Sequence, residues 1–166
     1  MRLGFRCWRE SDLPLALGLW GDPQVMKFID ARLTLSGREV KELLEKHIKF
    51  QHEAGIQYWP IFLLSSGEHV GCCGLRPCGA DPGTREIGVH LRRKFWRQGL
   101  AEEASRTVIA YAFGRLGLNA LFAGHHPENT VSPVLLTRLG FRYTHHEPYG
   151  PSGLLHPSYL LENSLR

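Results

Sequence analysis

The residues most able to do chemistry stand in the second half of this chain. The run 85–101, REIGVHLRRKFWRQGLA, passes from an alternating apolar segment through a basic bend containing Gly99 into a helical pattern. That order builds a site for a phosphate-bearing ligand. The first free amides of a helix point outward, the helix dipole favours negative charge there, and a glycine lets the backbone approach closely. Arg85, Arg92, Arg93, Lys94 and Arg97 against Glu86 give the run a charge of +4, equal to the formal net charge of +4 of the whole chain. The basicity is therefore local. It suits one polyanionic ligand better than a nucleic-acid surface, which also needs aromatics interleaved with the cations.

Glu86 shares a strand face with Gly88 and His90, while Ile87, Val89 and Leu91 face the other way. A carboxylate there can act as a base beside a substrate or be an ordinary ion-paired acid, with Arg85 one candidate partner. His125 and His126 follow a later strand. Histidine titrates near neutral pH, and adjacent side chains diverge, so one of the two can face a site as a base. Asn129 and Ser132 open a helix and can be caps or site residues. His145 and His146 are weaker candidates. Cys7, Cys72, Cys73 and Cys78 lack the tight spacing of a zinc site and read as reduced, structural thiols. No metal is expected.

These residues need a scaffold. Leu3, Phe5 and Cys7 alternate as a first strand. Ser11 or Asp12 can cap a short helix that ends at Gly21-Asp22-Pro23. Ser36 and Glu39 form a capping box for a helix with Val40, Leu43, Leu44 and Ile48 on its apolar face and Gly55 as its stop. Segments 58–64 and 69–77 read as a hairpin, and 85–92 as a strand. The span 100–116 is the clearest helix, 119–123 a short strand, and 130–138 a helix ended by Gly140; 141–145 and 154–161 close the chain as strands. Strands flanking separated helices predict a mixed α/β layer fold.

A chain of 166 residues fits a single domain spanning 1–166. With 43% hydrophobic and 22% charged residues, it has the balance of a globular protein. No apolar run approaches the roughly 18 residues of a membrane span. The start, MRLGFRCWRESD, has no signal-peptide core, which predicts a cytoplasmic location.

Glu86-Ile87-Gly88, then Phe95-Trp96-Arg97-Gln98-Gly99-Leu100-Ala101, then Pro127-Glu128-Asn129 with Ser132, then Leu139-Gly140-Phe141 resemble the GNAT (Gcn5-related) N-acetyltransferases, and within them the branch that acetylates ribosomal-protein N-termini. The likeness spans about residues 8–141. It implies an α/β GNAT fold: a central mixed, mostly antiparallel sheet of about seven strands, splayed between the fourth and fifth, with about four helices. Acetyl-CoA would be wedged in the opening. The superfamily's pyrophosphate loop maps to Trp96 through Ala101, with Trp96 departing from the usual first residue. By that analogy the backbone of Val89 and Leu91 pairs with the pantetheine arm. The amides of Arg97, Gln98, Gly99, Leu100 and Ala101 hold the pyrophosphate, and Arg92, Arg93 or Lys94 reaches the 3′-phosphate. Asn129 contacts the cofactor arm or orders its loop. Many relatives carry a tyrosine acid where this chain has Leu136, which leaves Ser132 or water to stabilise the departing thiolate.

The implied reaction is direct attack of a primary amine on the thioester, with Glu86 or His125 as base and Ser132 assisting departure. An α-amine, with a reference pKa of about 7.7–8.0, is far more often neutral at pH 7 than a lysine-type amine near 10.4. The acceptor can be a protein N-terminus or a small amine. An aminoglycoside or polyamine acetyltransferase, or a non-catalytic acyl-CoA-binding sensor, are the alternatives. No nucleic acid or membrane partner is expected, and the chain can be a monomer or homodimer. The segment 147–153, EPYGPSG, can be a lid or a subunit contact.

Overall fold

A computed structural model describes residues 1–30, 32, 34–150 and 152–164. The alternating segments become strands β1 (Leu3–Phe5), β2 (Tyr58–Leu63), β3 (His69–Pro77), β4 (Thr84–Leu91), β5 (Ala120–Gly124), β6 (Arg142–Tyr149) and β7 (Leu154–Glu162). They form one seven-stranded sheet in the order β1-β2-β3-β4-β5-β7-β6. Every neighbouring pair is antiparallel except β4 and β5. The helices are α1 (Leu13–Trp20), α2 (Pro23–Met26), α3 (Gly37–Ala54), α4 (Leu100–Gly114) and α5 (Val131–Arg138), five among the described residues. This is the layered α/β arrangement the sequence predicts, with one additional short helix.

The sheet separates two apolar layers. On one face Cys73, Leu75 and Ile87 pack with Leu100, Ala104 and Val108 of α4 and Leu136 of α5. On the other, Cys72 and Tyr58 pack with Ala16, Leu19 and Trp20 of α1 and Val40 and Leu44 of α3. The adjacent cysteines thus face opposite layers, as strand alternation requires. Burial pushes both thiols up, Cys73 to about 12, which makes them inert packing residues.

Local signals account for most boundaries. The Ser36 hydroxyl accepts from the Glu39 amide, the Glu39 carboxylate accepts from the Ser36 amide, and Gly55 ends α3 with φ 66°. One reading needs correction. The Asp12 side chain does not cap α1; its carboxylate accepts from the Arg6 guanidinium at 2.6 and 2.8 Å and from the Arg9 amide at 2.9 Å. A charged, forked donor within reach outcompetes a neutral amide. α1 ends at Gly21-Asp22-Pro23 as expected, and a further short helix follows directly. The Asp22 carboxylate accepts from the Gln24 amide and starts α2, with Pro23 in the first turn, where a missing N–H is harmless.

A further difference lies at the end of the chain. β6 continues to Tyr149, with Glu147, Pro148 and Tyr149 paired against His156, Leu155 and Leu154 of β7. The segment 147–153 is therefore the end of a hairpin rather than a free flap; its residue 151 lies outside the described residues.

Candidate functional site

β4 and β5 part company after three residue pairs. Thr84, Arg85 and Glu86 pair with Ala120, Leu121 and Phe122, and past Glu86 no described strand pairs with that edge of β4. The direction of the free groups follows from the other edge. The Arg92 amide donates to Val70 O, and antiparallel pairing alternates, so Gly88 and His90 also bond to β3. The backbone groups of Ile87, Val89 and Leu91 therefore point into the opening. The Leu91 carbonyl there is already filled, because the Trp96 indole donates to it at 2.8 Å. The sequence departure at Trp96 thus ties the following loop back to β4. The amides of Leu91 and both groups of Val89 remain as a strand edge that an extended amide-bearing arm would fit.

The loop itself is shaped for an anion. Arg97 has φ 58° and Gly99 φ 74°, two left-handed residues one apart before α4 begins at Leu100. Such a backbone makes a concave nest of N–H groups, and the first amides of α4 have no acceptor within the helix. Side chains occupy the loop's carbonyls instead. Gln98 Nε2 donates to Lys94 O at 2.8 Å, and Arg2 donates to Gln98 O at 3.1 Å. Of the cations proposed for the 3′-phosphate, Arg92 donates to His69 O at 3.2 Å and Lys94 pairs with Glu68. Arg93 and Arg97 are exposed and have no carboxylate partner among the described residues.

Where the strands part, a cavity of about 510 Å³ runs from one face of the sheet to the other. Glu86, Val89, His125, Asn129 and Ser132 all line it. Leu91, Arg92, Arg93 and residues 97–101 do not. On the α4–α5 side the walls include Ile87, Val89, Ser105, Leu135, Leu136 and His125. On the α1–α3 side they include Tyr58, Arg76, Glu86, Gly88, His90 and Lys46.

His125 is 8% exposed. Its Nδ1 lies 2.8 Å from His126 O. A carbonyl only accepts, so Nδ1 carries the hydrogen and the neutral ring presents a bare lone pair at Nε2. That Nε2 is buried and has no partner. A buried acceptor without a partner, in a residue that borders a cavity, is a candidate proton acceptor once a small shift of the ring exposes it.

Glu86 is engaged. It accepts from Arg76 Nη2 at 2.6 Å, directly across the β3–β4 register, so its partner is Arg76 rather than Arg85. Arg85 bonds to the Thr84 carbonyl instead. Glu86 also lies three residues before Val89, roughly 10 Å along the strand. Asn129 Oδ1 accepts from the amides of Val131 and Ser132, both at 3.1 Å, so its side chain holds the start of α5. The Ser132 hydroxyl has no hydrogen-bond partner among the described residues, and Ser132 lines the cavity. His126 accepts from the Glu128 amide and stacks near Phe28 and His156, on the opposite face from His125. His145 and His146 do not line the cavity. No cluster able to hold a metal is present among the described residues.

Tyr58, His90, Arg76 and Lys46 were given no role by the sequence. Gly88 carries the missed signal: a Cβ there would sit 2.3 Å from the Tyr58 hydroxyl, so the glycine admits a tyrosine across the strand. Tyr58 and His90 belong to a buried ring cluster with Trp20 and His47. Burial, with the Arg76 charge nearby, pushes His90 down to about 4, and burial pushes His47 to about 3, so both rings are neutral at pH 7.

A profile of the family described as "Acetyltransferase (GNAT) domain" matches residues 2–142. The uncharacterized N-acetyltransferase p20 of Bacillus licheniformis is 30% identical over 141 residues, covering 85% of this chain and 79% of that protein. Two solved structures share the fold. RimL, a ribosomal L7/L12 alpha-N-protein acetyltransferase in complex with coenzyme A, superposes with a TM-score of 0.82 at 17% identity over 100% of this chain and 97% of that one. Spermidine N-acetyltransferase from Vibrio cholerae, in complex with CoA and spermine, superposes with a TM-score of 0.82 at 18% identity over 98% and 96%. With its parted β4 and β5, anion loop and through-sheet cavity, the chain belongs to the GNAT family of N-acetyltransferases.

Proposed function

We propose that the protein transfers the acetyl group of acetyl-CoA to an α-amine, either a peptide N-terminus or a small molecule of the same kind, with His125 as the general base. The observation that carries this reading is that His125 borders the cavity that crosses the sheet and has a buried Nε2 without a partner, which a small shift of the ring would present to an amine. Acetyl-CoA fits the residues present. The free edge at Val89 and the Leu91 amide receives the pantetheine arm, the nest at 97–101 receives the pyrophosphate, and Arg93 or Arg97 reaches the 3′-phosphate. The amine enters from the Tyr58 and His90 side.

The Val89 amide points into the opening and stabilises negative charge as it develops on the acyl oxygen. As the nitrogen–carbon bond forms, His125 Nε2 takes the amine's proton. The carbon–sulfur bond then breaks, and the Ser132 hydroxyl donates to the departing thiolate, which finally takes the proton from His125. Glu86, paired with Arg76 and far along the strand, orients the distal part of the acceptor instead of taking this proton.

An α-amine suits a neutral imidazole base, because about a tenth of it is already neutral at pH 7. A polyamine does not suit the charges present. Lys46 and Arg76 offset Glu86 and Glu147 around the cavity, so it holds no excess of carboxylates for a polycation. The test is an acceptor panel of peptides with free N-termini, amino-acid amides, spermidine and an aminoglycoside, followed by thiol release and product mass. Turnover confined to the α-amines supports the reading. Preferred turnover of spermidine overturns it, and CoA binding with no turnover on any amine makes the chain a sensor.

A further inference from the structure

The two polar atoms that flank Val89 on the acceptor side are the Tyr58 hydroxyl, seated over Gly88, and Nε2 of His90. The state of His90 is set from behind. Trp20 donates its indole N–H to His90 Nδ1 at 3.1 Å. An indole nitrogen only donates, so Nδ1 must accept, and the hydrogen of the neutral ring resides on Nε2. Trp20 is itself fixed. It has no exposed surface, its ring stacks on His47 at 5.3 Å, and Trp8 lies against it at 5.4 Å. His90 in turn stands edge-on to Tyr58 at 5.4 Å. The Nε2–H has no acceptor among the described residues, and His90 lines the cavity. Thus the opening is bordered by two histidines of opposite tautomer: His125 keeps an enclosed lone pair at Nε2, and His90 carries its hydrogen at Nε2.

We infer that His90 is a specificity residue whose Nε2–H, locked in place by Trp20, reads the carbonyl oxygen adjacent to the acceptor's α-amine. An amine delivered to His125 beside Val89 brings its neighbouring carbonyl within the reach of the next residue on the acceptor face, which is His90. A simple alkylamine or polyamine has no oxygen to offer and leaves this donor bare. The contact would align the amine for attack and favour α-amino acyl groups over amines of other kinds. Trp20 is then a positioning residue, acting only through the imidazole. This inference rests on the α-amine reading.

The test compares alaninamide with 2-aminopropane, which lacks the carbonyl, in the full-length enzyme with saturating acetyl-CoA. His90→Phe keeps a ring of similar shape and removes the donor. It is expected to raise KM for alaninamide about tenfold, the size of one lost hydrogen bond to a bound ligand, with KM for 2-aminopropane and for acetyl-CoA unchanged. His90→Gln, which restores a side-chain N–H, should recover most of the loss. Nitrogen NMR of the histidine-labelled wild-type protein should find His90 protonated at Nε2 and bare at Nδ1, and Trp20→Phe should release it to a mixture of tautomers. An equal loss on both acceptors, or a hydrogen at Nδ1 in the wild type, overturns the inference while leaving the α-amine reading intact. Absence of turnover on either acceptor removes both.

Discussion

His125 Nδ1 and His126 O lie 2.8 Å apart, and this one contact decides what His125 can do. It spends the ring's hydrogen on the backbone and leaves a bare, enclosed Nε2 in a residue that borders the cavity. Replacing His125 with alanine should therefore lower kcat by about 10²- to 10⁴-fold, the usual worth of a positioned general base. KM for acetyl-CoA should stay close to the wild-type value. Steady-state kinetics with an α-amine acceptor checks this. A kcat within a factor of a few of wild type would move the base elsewhere.

Gly88 is a steric requirement of the acceptor side. A methyl group there meets the Tyr58 hydroxyl at 2.3 Å and ring carbons at 2.5 and 2.9 Å. The ring is buried beneath His47 and His90 and has little room to withdraw. Gly88→Ala should destabilise the fold by about 1–3 kcal/mol through overpacking and raise KM for the acceptor. Tyr58→Phe in the same background should recover part of both losses. Thermal melts and acceptor titrations read the two effects separately.

Arg6 and Asp12 hold the first strand to the turn before α1. Hydrogen bonding from Arg6 holds the Asp12 carboxyl below the usual carboxylate range, despite burial acting the other way. A carboxyl depressed in the folded state stabilises the fold above its unfolded pKa of about 3.9 and loses that contribution as pH falls through the folded value. Arg6 is 33% exposed, so solvent screens the pair. Asp12→Asn should lower stability at pH 7 by about 1–2 kcal/mol. The gap to wild type should narrow at the acid end of a pH series of melts. A gap independent of pH would assign the loss to packing.

Arg93 tests the donor end. It is exposed, with no carboxylate partner among the described residues, while Lys94 beside it is paired with Glu68. Arg93→Ala should raise KM for acetyl-CoA several-fold and leave KM for the form lacking the 3′-phosphate nearly unchanged. Lys94→Ala should do less to either. Equal effects on both donors would place Arg93 away from the 3′-phosphate.

The strand, bend and helix start of the stretch 85–101 were legible in the sequence, because they are written in local order. An alternating strand, a glycine bend and a helix start are consecutive in the chain, and β4, the 97–101 loop and α4 follow that order. The capping box of α3 was legible for the same reason. The contacts on the Tyr58 and His90 side of the cavity were not. Glu86 meets Arg76 through a hairpin register, Gly88 meets Tyr58 two strands away, and His90 meets Trp20 across 70 residues. Arg76 and Glu86 stand ten residues apart, but their pairing depends on the hairpin register, and no short window holds both partners of the other two pairs. The extension of β6 was hidden too, since Arg142 to Tyr149 is exposed along most of its length and carries no apolar alternation. His125 stood out as a residue type, but its tautomer depends on the turn of the backbone at His126.

The central claim is acetyl transfer to an α-amine through His125. The most direct measurement follows product mass and thiol release with acetyl-CoA, a peptide bearing a free N-terminus, and the same peptide blocked at its N-terminus but containing a lysine. Wild-type protein should add one acetyl group to the free α-amine and none to the blocked peptide, and His125→Ala should nearly abolish the transfer. Acetylation of the lysine in preference to the α-amine, or full activity in His125→Ala, would contradict the account.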